Sequence, residues 1–137
     1  MKTVLFACVH NAGRSQMAAA WFNKLTDPTK ARAISAGTRP AAHVHTEVAV
    51  AMLEVGVDLS TVVPRKLTDE LAAEANLLIT MGCGEECPVA AGVERDDWPL
   101  DDPKGRDIAR VREIRGEVEG LVRRLLSERG WTATSTP

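Results

Sequence analysis

Lys2-Thr3-Val4-Leu5-Phe6-Ala7-Cys8-Val9-His10-Asn11-Ala12-Gly13-Arg14-Ser15 is the stretch that decides the architecture. Its first half, Lys2 to Ala7, holds a near-continuous apolar run from Thr3 to Phe6, the pattern of a strand buried on both faces. Cys8 to Arg14 has no periodicity and contains Asn11 and Gly13, which marks a loop. From Ser15 a helix pattern sets in. Met17, Ala18, Trp21, Phe22 and Leu25 recur at helical spacing, Ser15 suits the helix start, and Asp27-Pro28 stops the helix.

The rest of the chain continues the alternation. Ala31 to Ala36 reads as a second, weaker strand closed by Gly37, and Thr46 to Val55 as a helix capped by Gly56. Thr68 opens a short third helix, Leu77 to Met81 is the best strand signal in the chain, and Val93 to Trp98 holds a last short strand. Ile108 to Arg129 is a long amphipathic helix ended by Gly130. Strands alternating with helices predict an α/β domain, a parallel sheet covered on both faces. Such sheets bind ligands at the carboxyl ends of their strands, near the switch in strand order. No repeat or linker divides the chain, so residues 1–131 are expected to form a single domain and 132–137 a disordered polar tail.

Composition narrows the class. The 137 residues are 45% hydrophobic and 26% charged, enough to bury a core. No apolar run approaches the ~18 residues of a membrane span, and the N-terminus lacks a signal-peptide pattern, so a cytoplasmic monomer with no membrane partner is expected. A net charge of −2 with dispersed Lys and Arg argues against a nucleic-acid binder. Three cysteines in a reducing compartment are not a disulfide framework.

The loop has a chemical logic. A chain turning from a strand into a helix start aims several backbone N–H groups at one point, reinforced by the helix dipole. Val9, His10, Asn11, Ala12, Gly13, Arg14 and Ser15 are therefore the candidate binding residues for a tetrahedral oxyanion. Gly13 supplies freedom for close wrapping, Asn11 tolerates the left-handed region, and Arg14 grips two oxygens in a bidentate fork. Cys8 would sit beneath the anion's central atom. A thiol beside an Arg and a helix N-terminus is expected to ionise and act as a nucleophile, with Ser15 donating to its sulfur.

The segment Cys8 to Ala18 resembles the low-molecular-weight protein tyrosine phosphatase superfamily. With Ser35-Ala36-Gly37, Thr80-Met81-Gly82-Cys83 and Asp101-Asp102-Pro103, it is similar to that superfamily's arsenate reductases of the thioredoxin-coupled type. The likeness runs over about residues 2 to 130 and implies a three-layer sandwich around a four-stranded parallel sheet in the order 2-1-3-4. It implies that Cys8 attacks arsenate, that Cys83 then attacks Cys8 as arsenite leaves, and that Cys87 attacks Cys83, leaving a bridge for thioredoxin to reduce. It makes Asp102 the general acid, with Asp101 as the fallback. Phosphate and sulfate would compete with arsenate.

The sequence departs from the relatives in places. Only three residues separate Cys83 from Cys87, fewer than in the best-known thioredoxin-coupled relatives. Lys104 follows Pro103 where the phosphatases often carry Tyr, and the chain has no Tyr, which disfavours phosphotyrosine. Some relatives hold potassium beside the loop. Asn11 and Ser35 match positions used there, but Ala19 stands where those relatives carry Glu, so neither metal nor cofactor is expected. Three alternatives stay open. One is a phosphatase working through a phosphocysteine on Cys8. Another is a phosphate-binding or redox-sensing module with no turnover. The third is a zinc site on Cys83, Cys87, Cys8 and His10, disfavoured by the cationic surroundings of Arg14. His43 and His45 read as surface residues, and Trp21, Phe22, Trp98 and Trp131 as packing.

Overall fold

The computed structural model describes residues 1–82 and 92–133. Its strands are β1 (Lys2–Cys8), β2 (Ala31–Gly37), β3 (Leu77–Thr80) and β4 (Glu94–Asp97). Its helices are α1 (Arg14–Leu25), α2 (Thr46–Leu53), α3 (Asp69–Glu74) and α4 (Ile108–Arg129). The sheet order is β2-β1-β3-β4 with every pairing parallel, as the resemblance implied. β1 pairs with β2 from Lys2↔Ala31 to Cys8↔Gly37, and with β3 from Val4↔Leu77 to Ala7↔Thr80. β1 is thus the strand at which the connections change direction, the place where such sheets bind ligands.

Strand parity decides which face Cys8 serves. Side chains alternate across a strand, so Val4, Phe6 and Cys8 point to one side and Leu5 and Ala7 to the other. The first set joins a large apolar cluster with Met17, Phe22, Met52, Ile114 and Val118, drawn from α1, α2 and α4. The second set packs with Ala36, Leu67, Ala72 and Leu78 beneath α3. Phe6 lies at the centre of the larger cluster, its ring 6.0 Å from Phe22 and 5.4 Å from Trp98. Cys8 therefore emerges on the side that α1 covers. β4 is exposed along its whole length and reads Glu-Arg-Asp-Asp, a charged edge that discourages further pairing.

The helix ends follow local chemistry. Thr68 caps α3 by accepting from the Leu71 N–H at 3.1 Å, and Asp107 caps α4 by accepting from the Arg110 N–H at 2.9 Å. Gly130 closes α4 in the left-handed conformation, φ 71°. Two residues of the expected tail are held in place: Thr132 bridges to Thr26 and the Ala133 N–H donates to the Leu25 carbonyl at 3.0 Å. Backbone pairing to the end of α1 outweighs the polar composition of these two residues. Residues 134–137 fall outside the described ones. Among the described residues no helix is long and apolar enough to cross a membrane.

α2 is tied to α4 by one carboxylate. Glu54, at the C-terminus of α2, accepts from Arg112 at 3.0 and 2.6 Å and from Arg115 at 2.8 Å, while Arg115 also donates to the Ala51 carbonyl. Hydrogen bonds from Arg112 and then Arg115 hold the Glu54 carboxyl down from 4.5 to about 2. A carboxyl whose folded value lies below its unfolded one stabilises the fold in full above the unfolded value and loses that contribution as pH falls through the folded one. Glu54→Gln should therefore lower the urea midpoint most above pH 4.5, and the gap from the parent protein should close between pH 4.5 and about 2. Urea titrations of both proteins at stepped pH check this.

Candidate active site

The loop between β1 and α1 turns its carbonyls outward. The Cys8 carbonyl accepts from Thr38 N–H at 3.2 Å, Val9 from Arg39 at 2.8 Å, His10 from Ala41 at 2.9 Å and Ala12 from His45 at 3.0 Å. The Gly13 carbonyl accepts from Met17 N–H at 3.0 Å, the first bond of α1, and the Asn11 carbonyl accepts from the Gln16 side chain at 3.0 Å. In a trans peptide plane the N–H points opposite to the C=O. With these carbonyls engaged on the outside, the N–H groups from Val9 to Arg14 face the concave side. The first-turn N–H groups of α1 have no partner within the helix and add to them. No acidic side chain stands in that first turn to compete for them. The result is a cradle for one anion.

Two close approaches shape the cradle. Asn11 lies at φ 50°, the one non-glycine residue in the positive region among those described, as its short polar side chain allows. Gly37, paired with Cys8 across the sheet, touches the loop from behind. A Cβ there would lie 2.6 Å from the Val9 carbonyl oxygen and 2.8 Å from the Asn11 nitrogen.

At the base of the cradle, Cys8 is 2% exposed and its Sγ lies 2.8 Å from Ser15 Oγ. Ser15 Oγ also accepts from Asn11 Nδ2 at 2.8 Å, which leaves the Ser15 proton free to point at the sulfur. Ser15 is therefore not the helix cap that its position suggests. The cap position is Gly13, and the Ser15 side chain turns inward to Cys8. Gly13 too has a different reason from the one expected. Its φ is −140°, open to other residues, but a Cβ would meet Pro103 Cγ at 2.6 Å. Glycine here lets the Asp101-Asp102-Pro103 loop lie directly on the cradle.

That contact brings the candidate acid to the site. Asp102 Oδ2 is 3.6 Å from Arg14 NH2, and its Oδ1 accepts from the Lys104 N–H at 3.0 Å. Asp101 points away and pairs with Arg110 at 2.7 Å, and the Arg110 hydrogen bond holds its carboxyl below the usual carboxylate range. Asp101 is engaged by Arg110 of α4 while Asp102 stands beside Arg14 at the cradle, so position favours Asp102 over Asp101 as the candidate acid. Arg14 is itself 8% exposed, donates to the Leu100 carbonyl at 3.1 Å and is packed by Gly82.

Of the two histidines read as surface residues, one packs against the loop. His43 is exposed, but His45 is half-buried, with its ring 6.4 Å from that of His10. Burial lowers the His45 imidazole value, His10 and Lys104 push the same way, and Asp102 and Glu47 oppose them. Cys83 and Cys87 fall outside the described residues. On that side the described chain runs to Gly82, the residue before Cys83 and the one against Arg14.

Residues 3–132 match the family model described as low molecular weight phosphotyrosine protein phosphatase. The chain belongs to that family. Within it, a provisionally named arsenate reductase of Halobacterium salinarum is 39% identical over 127 residues, covering 90% of this chain and 89% of its own. The glutaredoxin arsenate reductase of a Synechocystis species is 32% identical over 131 residues, covering 93% and 98%. Among solved structures, a thioredoxin-dependent arsenate reductase of Corynebacterium glutamicum superposes with a TM-score of 0.81 at 38% identity. That match covers 93% of this chain and 61% of the Corynebacterium one, so this family member spans about three-fifths of that protein.

The sequence pointed to the loop but not to what braces it. Gly82 lies at φ 93°, and a Cβ on it would stand 2.3 Å from Arg14 NH1. Any side chain there is strained and displaces the guanidinium. Gly82→Ala is expected to weaken phosphate binding by about tenfold or more, the scale of a lost charge-assisted contact. Gly130→Ala, also at positive φ but with open space around it, should cost stability and leave phosphate affinity unchanged. Isothermal titration with phosphate and thermal melts of both variants separate the two effects.

Proposed function

We propose that this chain reduces arsenate to arsenite by a three-cysteine thiol relay. The observation that carries the reading is the pairing of Cys8 Sγ with Ser15 Oγ at 2.8 Å at the base of an N–H cradle, with Arg14 and Asp102 at its rim. Arsenate and phosphate are tetrahedral oxyanions of the same charge pattern, and Arg14 with the cradle would hold either. The Cys8 sulfur attacks arsenic, and one oxygen leaves as water with a proton from Asp102. This gives a sulfur–arsenic(V) bond. Cys83 then attacks Cys8 Sγ. The sulfur–arsenic bond breaks and its electron pair stays on arsenic, which departs as arsenite. Two thiols have become the Cys8–Cys83 disulfide and arsenic has gained two electrons. Cys87 attacks Cys83, Cys8 is released, and the Cys83–Cys87 bridge waits for a dithiol protein.

The chain's own residues divide the work. Ser15 donates to the Cys8 sulfur, Arg14 neutralises and orients the oxyanion, and Asp102 supplies the proton. Val9 to Gly13 bind through their backbone. Cys83 follows Gly82 directly in sequence, which places the second thiol next in the chain to the glycine that packs Arg14. The external reductant is a protein of thioredoxin or glutaredoxin type, with thioredoxin favoured by an internal exit cysteine, Cys87. A reducing cytosol is the setting in which such a relay cycles.

Steady-state arsenate reduction with thioredoxin and its reductase, repeated on single cysteine variants, tests the scheme. Cys8→Ser and Cys83→Ser should fall below about 1% of the parent rate, as expected when a group that acts as a unit is removed. Cys87→Ser should release at most one arsenite per protein. Sustained turnover by Cys83→Ser would show that the relay is wrong.

A further inference from the structure

The wall of outward carbonyls contains one irregular member. From Cys8 to Gly13 each carbonyl is taken by a backbone N–H except that of Asn11, which is taken by the side chain of Gln16. Gln16 is 5% exposed and is the chain's only glutamine. Its Nε2 donates to the Asn11 carbonyl at 3.0 Å and to Asn11 Oδ1 at 3.1 Å, so both amide protons are used on the same residue.

The orientation of these amides is fixed by groups that cannot reverse their roles. A backbone carbonyl only accepts, so the atom of Gln16 that faces the Asn11 carbonyl is the nitrogen. A backbone N–H only donates. The Arg65 N–H lies 3.0 Å from Asn11 Oδ1, so the atom of Asn11 that meets it is the oxygen. Asn11 must then present Nδ2 to Ser15 Oγ, at 2.8 Å. Ser15 is left to donate its own proton to Cys8 Sγ. The bonds as far as Ser15 each have one permitted direction, and the last, between Ser15 Oγ and Cys8 Sγ, runs to the sulfur when that sulfur carries no proton of its own.

We infer that Gln16 is a positioning residue: by clamping the carbonyl and side-chain oxygen of Asn11 together, it holds the Ser15 proton on the Cys8 sulfur. Arg65 supplies the same polarity from its backbone, but only Gln16 ties the Asn11 side chain to the Asn11 main chain. Without it, the Asn11 side chain is held to the loop by the Arg65 N–H alone and loses its tie to its own carbonyl, so its Nδ2 sits less firmly on Ser15 and Ser15 less firmly on the sulfur. This rests on the proposed role of Cys8 as nucleophile, and it holds for any reaction that begins there.

The test reads the thiol without arsenate, so it fails or succeeds apart from the relay. Gln16→Met keeps the length of the side chain and removes both donors. At pH 7, the rate of Cys8 alkylation by iodoacetamide, followed on its own peptide by mass spectrometry, should fall about tenfold, the scale of one hydrogen bond to a charged group. Ser15→Ala should fall similarly, and Ser15→Ala combined with Gln16→Met should be no slower than Ser15→Ala alone. A folded Gln16→Met protein that alkylates at the parent rate, or a double variant whose losses multiply, overturns the inference. The parent protein gives an independent check that needs no variant. The single glutamine side-chain NH2 pair should exchange slowly with solvent by NMR, and rapid exchange of both protons overturns the inference as well.

Discussion

The turn from β1 into α1 works because its peptide planes are all held the same way round. A backbone amide is a two-ended group, and an anion cradle needs one end only. Left alone, a short loop would satisfy its carbonyls and N–H groups haphazardly, since each unpaired buried group is costly. Here the strand after the loop's partner, β2, runs on into Thr38–His45, which follows the outside of the loop and donates to one carbonyl after another. The concave face is left with donors. The sheet register makes this possible: Cys8 pairs with Gly37, so the two chains leave β1 and β2 side by side and remain in contact. Gly37 has no side chain because the loop occupies that space.

The same constraint organises the rim. An array of inward N–H groups attracts anions, including the protein's own carboxylates. Asp102 is kept at the edge by Arg14 and by its turn to Lys104 N–H, while Asp101 is drawn off by Arg110 on α4. The two adjacent acids therefore take different duties because their cationic partners sit on different elements. Pro103 over Gly13 and the Leu100 carbonyl on Arg14 fasten this loop to the cradle, and Trp98, which precedes it, is anchored in the core against Phe6. The position of the candidate acid thus traces back through a few contacts to the packing of β1 itself.

Much of this was legible in the sequence where the signal was periodic or chemical. β1 to β3 and α4 declare themselves by apolar pattern, and α4 has the bounds expected from its terminal residues, Ile108 and Arg129. Asn11 was identifiable as the left-handed residue because few others tolerate that region. α2 runs to Leu53 and tightens through Glu54 and Val55, whose N–H donates to the Met52 carbonyl at 3.1 Å, to Gly56 at φ 86°, the left-handed residue that the sequence signals as the cap. Ser15 looked like a cap because cap preference is a local rule, but the buried thiol and Asn11 offered its hydroxyl better partners. Gln16 carried no signal at all. A glutamine in the first turn of a helix is ordinary, and only the burial of its amide against Asn11 gives it a role. What the sequence does carry, and the described residues do not reach, is the pair Cys83 and Cys87.

Oxyanion shape alone does not separate the chemistry of arsenate from that of phosphate. A cradle of N–H groups with one arginine recognises charge and tetrahedral geometry, which the two ions share. A family that contains phosphatases and arsenate reductases on one loop must therefore discriminate after binding, through what the sulfur adduct can do next. Phosphorus bonded to sulfur leaves to water. Arsenic(V) bonded to sulfur can instead accept an electron pair when a second thiol attacks that sulfur. The outcome is then decided by whether a thiol reaches Cys8 before water reaches the adduct. In the proposed scheme, the 2% exposure of Cys8 would keep water from the adduct, and the competing thiol would come from Cys83, which follows Gly82 in sequence. On the proposed reading, selectivity in this chain belongs to the approach of the second cysteine, with the cradle serving to present a sulfur that is ready to be attacked from one side.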